Sequence, residues 1–185
     1  MEEIFKKYPL LKDQNVPRET LIEFELFISM LQQGNDEINI ISKETAKNEF
    51  IGGMPGIVIS IMIKNQKNSI KVHLYEKSHH KSSFLRKVSR DLKLNTEVMQ
   101  ENIFEAQNLD SGTIMARAFK PLPIILDLVY KNFSSYKNLI VFMGKNGEKV
   151  LEETLINWDF DFEKKKSITS EDSFLLNIKN IKKKH

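Results

Sequence analysis

The sequence contains no cysteine among its 185 residues. This absence excludes a disulfide framework, a zinc site with cysteine ligands and a cysteine-bound iron–sulfur cluster. Long apolar runs are also missing, because the longest, from Met54 to Ile63, is too short to cross a bilayer. The first eight residues, MEEIFKKY, lack the charged and then apolar pattern of a secretory signal. These absences predict a cytoplasmic protein with no membrane partner.

Arginine is scarce, since only four of the 28 basic residues are arginine and the other 24 are lysine. The 25 acidic residues leave a net charge of +3, which permits nucleic-acid binding without requiring it. Because lysine is so much more common in this chain, an arginine is a stronger indication of a functional role than a lysine is.

Common catalytic and metal-binding motifs are absent as well. The sequence has no GxSxG nucleophile elbow, no GxxxxGK[ST] phosphate loop and no HExxH zinc motif. His79 and His80 are adjacent and point apart, so they are a poor pair of metal ligands. Nothing here indicates a hydrolase or phosphoryl-transfer enzyme, and no metal is expected.

The residues that are present predict a packed α/β protein. Hydrophobic residues make up 41% of the chain and charged residues 29%, which is typical of a globular domain. Apolar spacing predicts a helix over residues 17–33 that ends at Gly34, and Ser42 begins a second helix that reaches about Phe50. The first 50 residues are therefore predicted to be mostly helical.

From residue 51 onward, predicted strands and helices alternate. The strands are expected over 69–75, 97–100, 112–116, 139–143 and 173–178, and the helices over 80–92, 122–133 and 148–155. Periodicity alone leaves the run from Ile57 to Lys64 ambiguous between strand and helix. The alternation predicts a sheet with helices on both faces, in a domain over 51–185 that follows a helical extension over 1–50.

Sheets of this class bind ligands at the carboxyl ends of their strands. Gly52, Gly53 and Gly56 form a glycine-rich turn whose backbone could approach an anionic ligand closely, although an ordinary turn explains them equally well. Glu76 ends a predicted strand about 20 residues later, at the spacing of an acid that binds ribose hydroxyls. The alternative for Glu76 is a surface glutamate beside Lys77.

Arg117 and a helix rich in basic residues each have a functional and a structural interpretation. Arg117 ends a predicted strand, where it could hold a carboxylate, a phosphate or a base, or form a structural ion pair. The helix predicted over 80–92 and its flanks are rich in basic residues, which could contact phosphates but are more simply a solvated face. These residues are Lys81, Arg86, Lys87, Arg90 and Lys93.

Several runs, in this order, resemble the small-subunit ribosomal RNA methyltransferase G family, also called glucose-inhibited division protein B. Similar runs extend from about residue 16 to residue 180. They are Asn35–Ser42, Gly52–Ile57, Leu74–Ser78 with Lys81 and Phe84–Leu85, Arg117–Phe119 and Ser173–Leu176.

The resemblance implies a Rossmann-like class I methyltransferase sheet with helices on both faces, behind a small helical N-terminal extension. It also implies that Ile57–Ile63 begins a helix. The implied activity is S-adenosyl-L-methionine-dependent methylation of N7 of one guanine in 16S ribosomal RNA, free or in the small ribosomal subunit. A monomer is the simplest expectation.

The resemblance also implies roles for individual residues. The cofactor-binding residues would be Gly52, Gly53, Met54, Gly56, Glu76, Asn102, Ile103, Phe104 and Arg117. Among them, Glu76 would take the ribose hydroxyls, and Asn102–Phe104 would flank the adenine. Arg117 would lie beside the cofactor and the target base, in the catalytic position. Because guanine N7 carries no proton, no general base is needed.

The sequence departs from the family at three places. The family has a strand with an acidic, glycine-rich end just before Gly52, whereas here Asn48–Ile51 joins Gly52 directly. We interpret this as a segment absent from the sequence rather than from the protein; a Cα separation of about 3.8 Å between Ile51 and Gly52 would count against it. Met143 also replaces a frequent lysine, and Asn102 replaces a frequent arginine.

Two other functions are consistent with parts of the sequence. A non-catalytic module that binds RNA or the ribosome on a decayed methyltransferase fold would explain the missing strand and the basic helix. An oxidoreductase with a nicotinamide cofactor is disfavoured, because Gly52–Gly56 does not match GxGxxG.

Overall fold

The computed structural model describes residues 16–37, 55–66, 69–117, 120–168 and 170–184. The chain divides into two compact units, Met1–Ile103 and Phe104–His185. The boundary expected at residue 50 stays a prediction. Ile51 and Gly52, whose separation would bear on a missing segment, lie outside the described residues, as does the helix expected over Ser42–Phe50.

The described part of the first unit contains three helices and two strands. They are α1 (Arg18–Glu37), α2 (Pro55–Asn65), β1 (Val72–Tyr75), α3 (His79–Asp91) and β2 (Thr96–Met99). The two strands are parallel, with Val72 opposite Thr96. Because parallel neighbours cannot be joined by a tight turn, α3 forms the crossover between them.

The helices of this unit correct one expectation and settle another. The expected end of α1 at Gly34 is wrong, because the helix continues to Glu37. A glycine inside a helix costs only about 1 kcal/mol, so it need not end one. The ambiguous run after Pro55 is helix α2, as the family resemblance implied.

An apolar cluster and a polar link hold the helices of the first unit together. The cluster joins Phe27 and Leu31 of α1, Ile57 and Ile61 of α2, and Phe84, Leu85, Val88 and Leu92 of α3 and its end. Glu23 of α1 accepts hydrogen bonds from Lys64 Nζ and Asn65 Nδ2 of α2. Lys64 Nζ also donates to the carbonyl oxygen of Leu92, over 2.8 Å.

The second unit is an α/β layer built on four strands. Its elements are β3 (Leu109–Arg117), α4 (Leu122–Asn132), β4 (Phe133–Met143), α5 (Gly147–Asn157), β5 (Trp158–Lys166) and β6 (Phe174–Lys183). The strand order is β3-β4-β6-β5, with β3 parallel to β4 and β6 antiparallel to both of its neighbours. Sequence reasoning missed β5, and the strand that it expected over 173–178 extends to Lys183.

One face of this sheet forms the core of the second unit. Alternate residues of β4 and β6 point to that face and are buried against α4 and α5. The strand residues are Leu139, Val141, Met143, Phe174, Leu176 and Ile178, and the helices add Leu122, Ile125, Leu126, Val129 and Leu151. Burial of each such side chain stabilises the fold by about 1.5–3 kcal/mol. The predicted alternation of strands and helices in an α/β fold is confirmed.

Gly147 begins α5 at a position with no room for a side chain. A Cβ built there would lie 2.8 Å from Cβ of Met143 and 2.8 Å from the ring of Phe174. We expect Gly147→Ala to lower the free energy of unfolding by roughly 1–3 kcal/mol, because the core would have to shift. Gly144→Ala is the matched control, since nothing lies within 4 Å of its built Cβ. Equal urea midpoints for the two variants would contradict the packing argument.

Asn132 at the end of α4 anchors the segment that precedes β3. Its buried Nδ2 donates to the carbonyl oxygens of Phe104, over 3.2 Å, and Ala106. We expect Asn132→Leu to cost about 1–3 kcal/mol in unfolding free energy, because two carbonyls would lose their donor. Ser134→Ala, which removes an exposed hydroxyl bound to Leu109, should change stability by less than about 0.5 kcal/mol. Urea unfolding of both variants tests this difference.

Candidate functional site

The ends of β1 and β2 meet at one edge of the first unit, where Glu76 follows β1. The backbone N–H of Glu76 donates to the carbonyl oxygen of Met99 over 3.0 Å. Its half-buried carboxylate accepts a hydrogen bond from the N–H of Ser78, 2.8 Å from Oε1. The other oxygen, Oε2, bonds to none of the described residues, and Glu76 forms no ion pair with them. One oxygen is therefore held by the loop and the other is left to accept from a ligand.

Helix α3 fixes this loop from the other side. Ser78 is its N-cap residue, and its hydroxyl oxygen accepts from the N–H of Lys81 over 3.5 Å. The N–H of Ser82 donates to the carbonyl oxygen of Ser78 over 2.9 Å. The N-terminus of α3, where the helix dipole is positive, follows Glu76 closely in sequence.

Gly56 lies close to the same end of β1. A Cβ built on Gly56 would collide with Cδ2 of Leu74, two residues before Glu76. Glycine therefore lets the first turn of α2 pack tightly on β1. This contact gives Gly56 a packing role, and its role in cofactor binding stays a prediction.

Gln100 is a residue of this edge that sequence reasoning missed. Its Oε1 accepts from Ser82 Oγ over 3.1 Å and from Arg86 Nη1 over 3.2 Å, and it lies 3.3 Å from His79 Nδ1. Arg86 Nη2 also donates to the carbonyl oxygen of Val98. These bonds tie α3 to the end of β2, and Arg86 therefore has a structural role in holding the loop after β2. A polar residue at the end of a predicted strand was the available signal.

Asn102 and Ile103 follow Gln100 in the loop after β2, and both are half-buried. Tyr75, the last residue of β1, has its pKa raised by burial and further by the charges of Glu101 and Glu97. Its phenol therefore stays protonated and able to donate a hydrogen bond near Glu76.

Arg117 lies at the end of β3 in the second unit. Its side chain is exposed, and its guanidinium carbon lies 5.6 Å from the ring centroid of Phe142, its partner in register on β4. Within the described ranges Arg117 makes no ion pair, so the structural ion pair considered from the sequence is not found there. Phe142 supports a cation that remains available to a ligand.

A cleft of about 310 Å³ opens at the ends of β3 and β4 in the same unit. Among the described residues that line it, Lys120 and Lys145 are the charged ones. The remaining lining residues are Ala116, Pro121, Leu122, Ile125, Val141, Phe142, Met143, Gly144, Asn146, Gly147 and Val150. The sequence signal for this cleft was the turn with Gly144 and Gly147 after a predicted strand. Phe104, expected beside adenine, belongs to this unit and is 37% exposed.

Three expected cofactor residues, Gly52, Gly53 and Met54, lie outside the described residues. Across the described ranges, no three histidine or acidic side chains come together as a metal-binding group. No helix there is both long enough and apolar enough to span a membrane.

Comparison with known proteins identifies the family. The family model for rRNA small subunit methyltransferase G matches residues 52–177, which is more than half of the chain. A ribosomal RNA small subunit methyltransferase G of Pelagibacter ubique is 79% identical over 213 aligned positions that cover 100% of both chains. One of Rickettsia felis is 28% identical and covers 91% of this chain and 97% of its own.

Among solved structures, the 16S rRNA methylase RmtB aligns with 70% of this chain and 53% of its own, with a TM-score of 0.42 and 12% identity. The assignment therefore depends on the sequence matches. The resemblance read from the sequence is confirmed: the chain belongs to the rRNA small subunit methyltransferase G family and has an α/β fold of the class I methyltransferase type.

Proposed function

We propose that this chain uses S-adenosyl-L-methionine to methylate N7 of a guanine in 16S ribosomal RNA, in the cytoplasm and as a monomer. The observation that carries the proposal is the carboxylate of Glu76, half-buried at the end of a parallel strand with Oε2 bonded to none of the described residues. Such a group can accept both hydrogen bonds of a ribose cis-diol.

The chemistry fits the residues at hand. When bound, the cofactor supplies a methyl group that its sulfonium already activates. Guanine N7 is an acceptor without a proton, so the chain need only bring the base into line and exclude water. The absence of a cysteine or a histidine base is consistent with this reaction.

Glu76 would hold the cofactor through its ribose. The N–H of Ser78 fixes one carboxylate oxygen and so orients the second. Asn102, Ile103 and Phe104 would surround the adenine, and the turn from Gly52 to Gly56 would approach the methionine part of the cofactor. These roles follow the positions of the family's motifs.

Arg117 and the cleft in the second unit would receive the target base. The guanidinium can donate to O6 of guanine, which lies next to N7. Lys120 and Lys145 at the cleft walls can bind the phosphates that flank that nucleotide. A base that enters such a cleft must be unpaired or flipped out of its helix.

We expect Arg117→Ala to reduce methyl transfer roughly 100-fold or more, since a misplaced base loses its alignment. Arg117 is exposed, so urea unfolding should hardly change. Arg117→Lys keeps the charge but loses the fork of donors, and it should recover only part of the activity. Arg90→Ala, at an exposed arginine of α3, is the matched control. Methyl incorporation into 16S RNA measures all three, and full activity of Arg117→Ala would remove Arg117 from the site.

We expect Glu76→Ala to weaken S-adenosyl-L-methionine binding by about 1.5–3 kcal/mol, the strength of hydrogen bonds to a charged group. Calorimetric titration measures the change. Glu97→Gln, which removes an exposed carboxylate of β2, is the control and should bind as the parent does. An unchanged affinity for Glu76→Ala would make Glu76 a surface acid only.

A further inference from the structure

Tyr130 is an exposed aromatic residue near the end of α4, with 55% of its surface accessible. The buried Trp158 of β5 packs against it, with the two ring centroids 5.9 Å apart and an angle of 76° between the ring planes. This edge-to-face pair orients the Tyr130 ring and leaves at least one of its faces uncovered by Trp158. An aromatic face is therefore held in place at the surface of the second unit.

Two lysines accompany this aromatic pair. Lys131 follows Tyr130 directly in the chain. Lys183 Nζ lies 5.7 Å from the ring centroid of Trp158. Both lysines contact Asp127, whose Oδ2 lies 2.6 Å from Lys131 Nζ and whose Oδ1 lies 3.9 Å from Lys183 Nζ. Because one aspartate neutralises only one of the two charges, the group keeps a net positive charge.

Lys184 adds a further charge at the same end of the unit. Its N–H donates to the carbonyl oxygen of Asn157, the residue before Trp158, over 3.0 Å. Its Nζ donates to the carbonyl oxygen of Leu155 over 2.7 Å. A carbonyl group does not neutralise an ammonium group, so this exposed lysine keeps its full charge for an anion.

An exposed aromatic ring beside lysines is typical of surfaces that bind single-stranded nucleic acid. Bases stack on the ring whatever their sequence, and lysines contact the phosphates that join them. A nucleic-acid duplex would leave the ring unused, because its bases are already stacked inside. Since the chain belongs to a family of rRNA methyltransferases, the ligand that fits this surface is unpaired RNA.

Helix α4 connects this surface to the cleft at the ends of β3 and β4. Leu122 and Ile125 in the first part of the helix line the cleft, whereas Tyr130 lies near its other end. At 1.5 Å per residue, Tyr130 is about 12 Å along the helix from Leu122. About four nucleotides span that distance at roughly 3.4 Å each. One RNA strand can therefore reach both places.

We propose that Tyr130, Lys131, Lys183 and Lys184 form a second RNA contact, separate from the cleft and from the expected cofactor residues. An unpaired base stacks on the Tyr130 ring, and the lysines bind the phosphates beside it. The contact rests on the proposed function only in that the same strand enters the cleft. It adds affinity for RNA without touching the reacting atoms. Its loss should therefore raise the KM for RNA and leave kcat unchanged.

The first test measures binding of a fluorescent, unstructured RNA of about 12 nucleotides to the full chain by anisotropy. We expect Tyr130→Leu to weaken binding roughly 5- to 150-fold, the usual loss when one stacking ring is removed. Tyr130→Phe is the matched control, because it loses the same hydroxyl but keeps the ring, and it should bind as the parent does. Urea unfolding of both variants verifies that they are folded.

The salt dependence of the same binding tests the lysines separately. Lys131→Gln and Lys183→Gln should each reduce the slope of log K against log salt by about 0.7, the value for one phosphate contact with a single strand. Lys149→Gln on α5 is the matched control, since its side chain is 79% exposed and also lies near a carboxylate, 3.8 Å from that of Glu153. This variant should keep the slope of the parent.

Three outcomes would overturn the proposal. If the parent does not bind the RNA, or if Tyr130→Leu binds it as tightly as Tyr130→Phe, no base stacks on the ring. If both lysine variants keep the parent's slope, these lysines contact no phosphate. If the variants bind free RNA normally but the small ribosomal subunit weakly, the surface binds a protein. Binding through Tyr130 without methyl transfer would support the contact and contradict the proposed function, so the two ideas fail separately.

Discussion

The hydrogen bond from the N–H of Glu76 to the carbonyl oxygen of Met99 is the constraint on which the candidate cofactor site depends. It continues the parallel ladder one residue beyond β1 and brings the loops after β1 and β2 together. The ladder sets where Glu76 leaves the sheet, and the N–H of Ser78 then sets the direction of its carboxylate. Gln100 fixes the second loop by bonds to Ser82 and Arg86.

In the second unit, the position of Arg117 depends on how the sheet packs against its helices. Its parallel pair β3–β4 is backed by the antiparallel strand β6, and one face of all three is buried under α4 and α5. Alternation along β3 places Ala116 in that core and directs Arg117 to the opposite face, beside Phe142. The position of Arg117 is therefore a consequence of how its neighbour Ala116 is buried.

The sequence predicted most of these elements because their apolar periodicity is strong. It missed β5, because only the first residues of this strand, Trp158 and Phe160, are buried. The rest of the strand is exposed and mostly charged, so it lacks the alternation of apolar and polar residues that predicts a strand. The predicted end of α1 at Gly34 was also wrong. The prediction gave the low helix propensity of glycine more weight than the helical residues that follow it. Of the candidate site, Glu76 and Arg117 could be predicted from their places at strand ends. Gln100 and the cleft were not predicted, because a polar residue at a strand end and a turn with two glycines do not reveal the long-range contacts that build them.

Each of the two units has a hydrophobic cluster of its own. The cluster of the first unit is built by α1, α2 and α3, and that of the second by its sheet with α4 and α5. The loop that carries Glu76 is held instead by the hydrogen bonds that Glu76 makes with Met99 and Ser78. A reaction that depends on alignment rather than on a general base is sensitive to a loss at that place, since every interaction it uses is one of position.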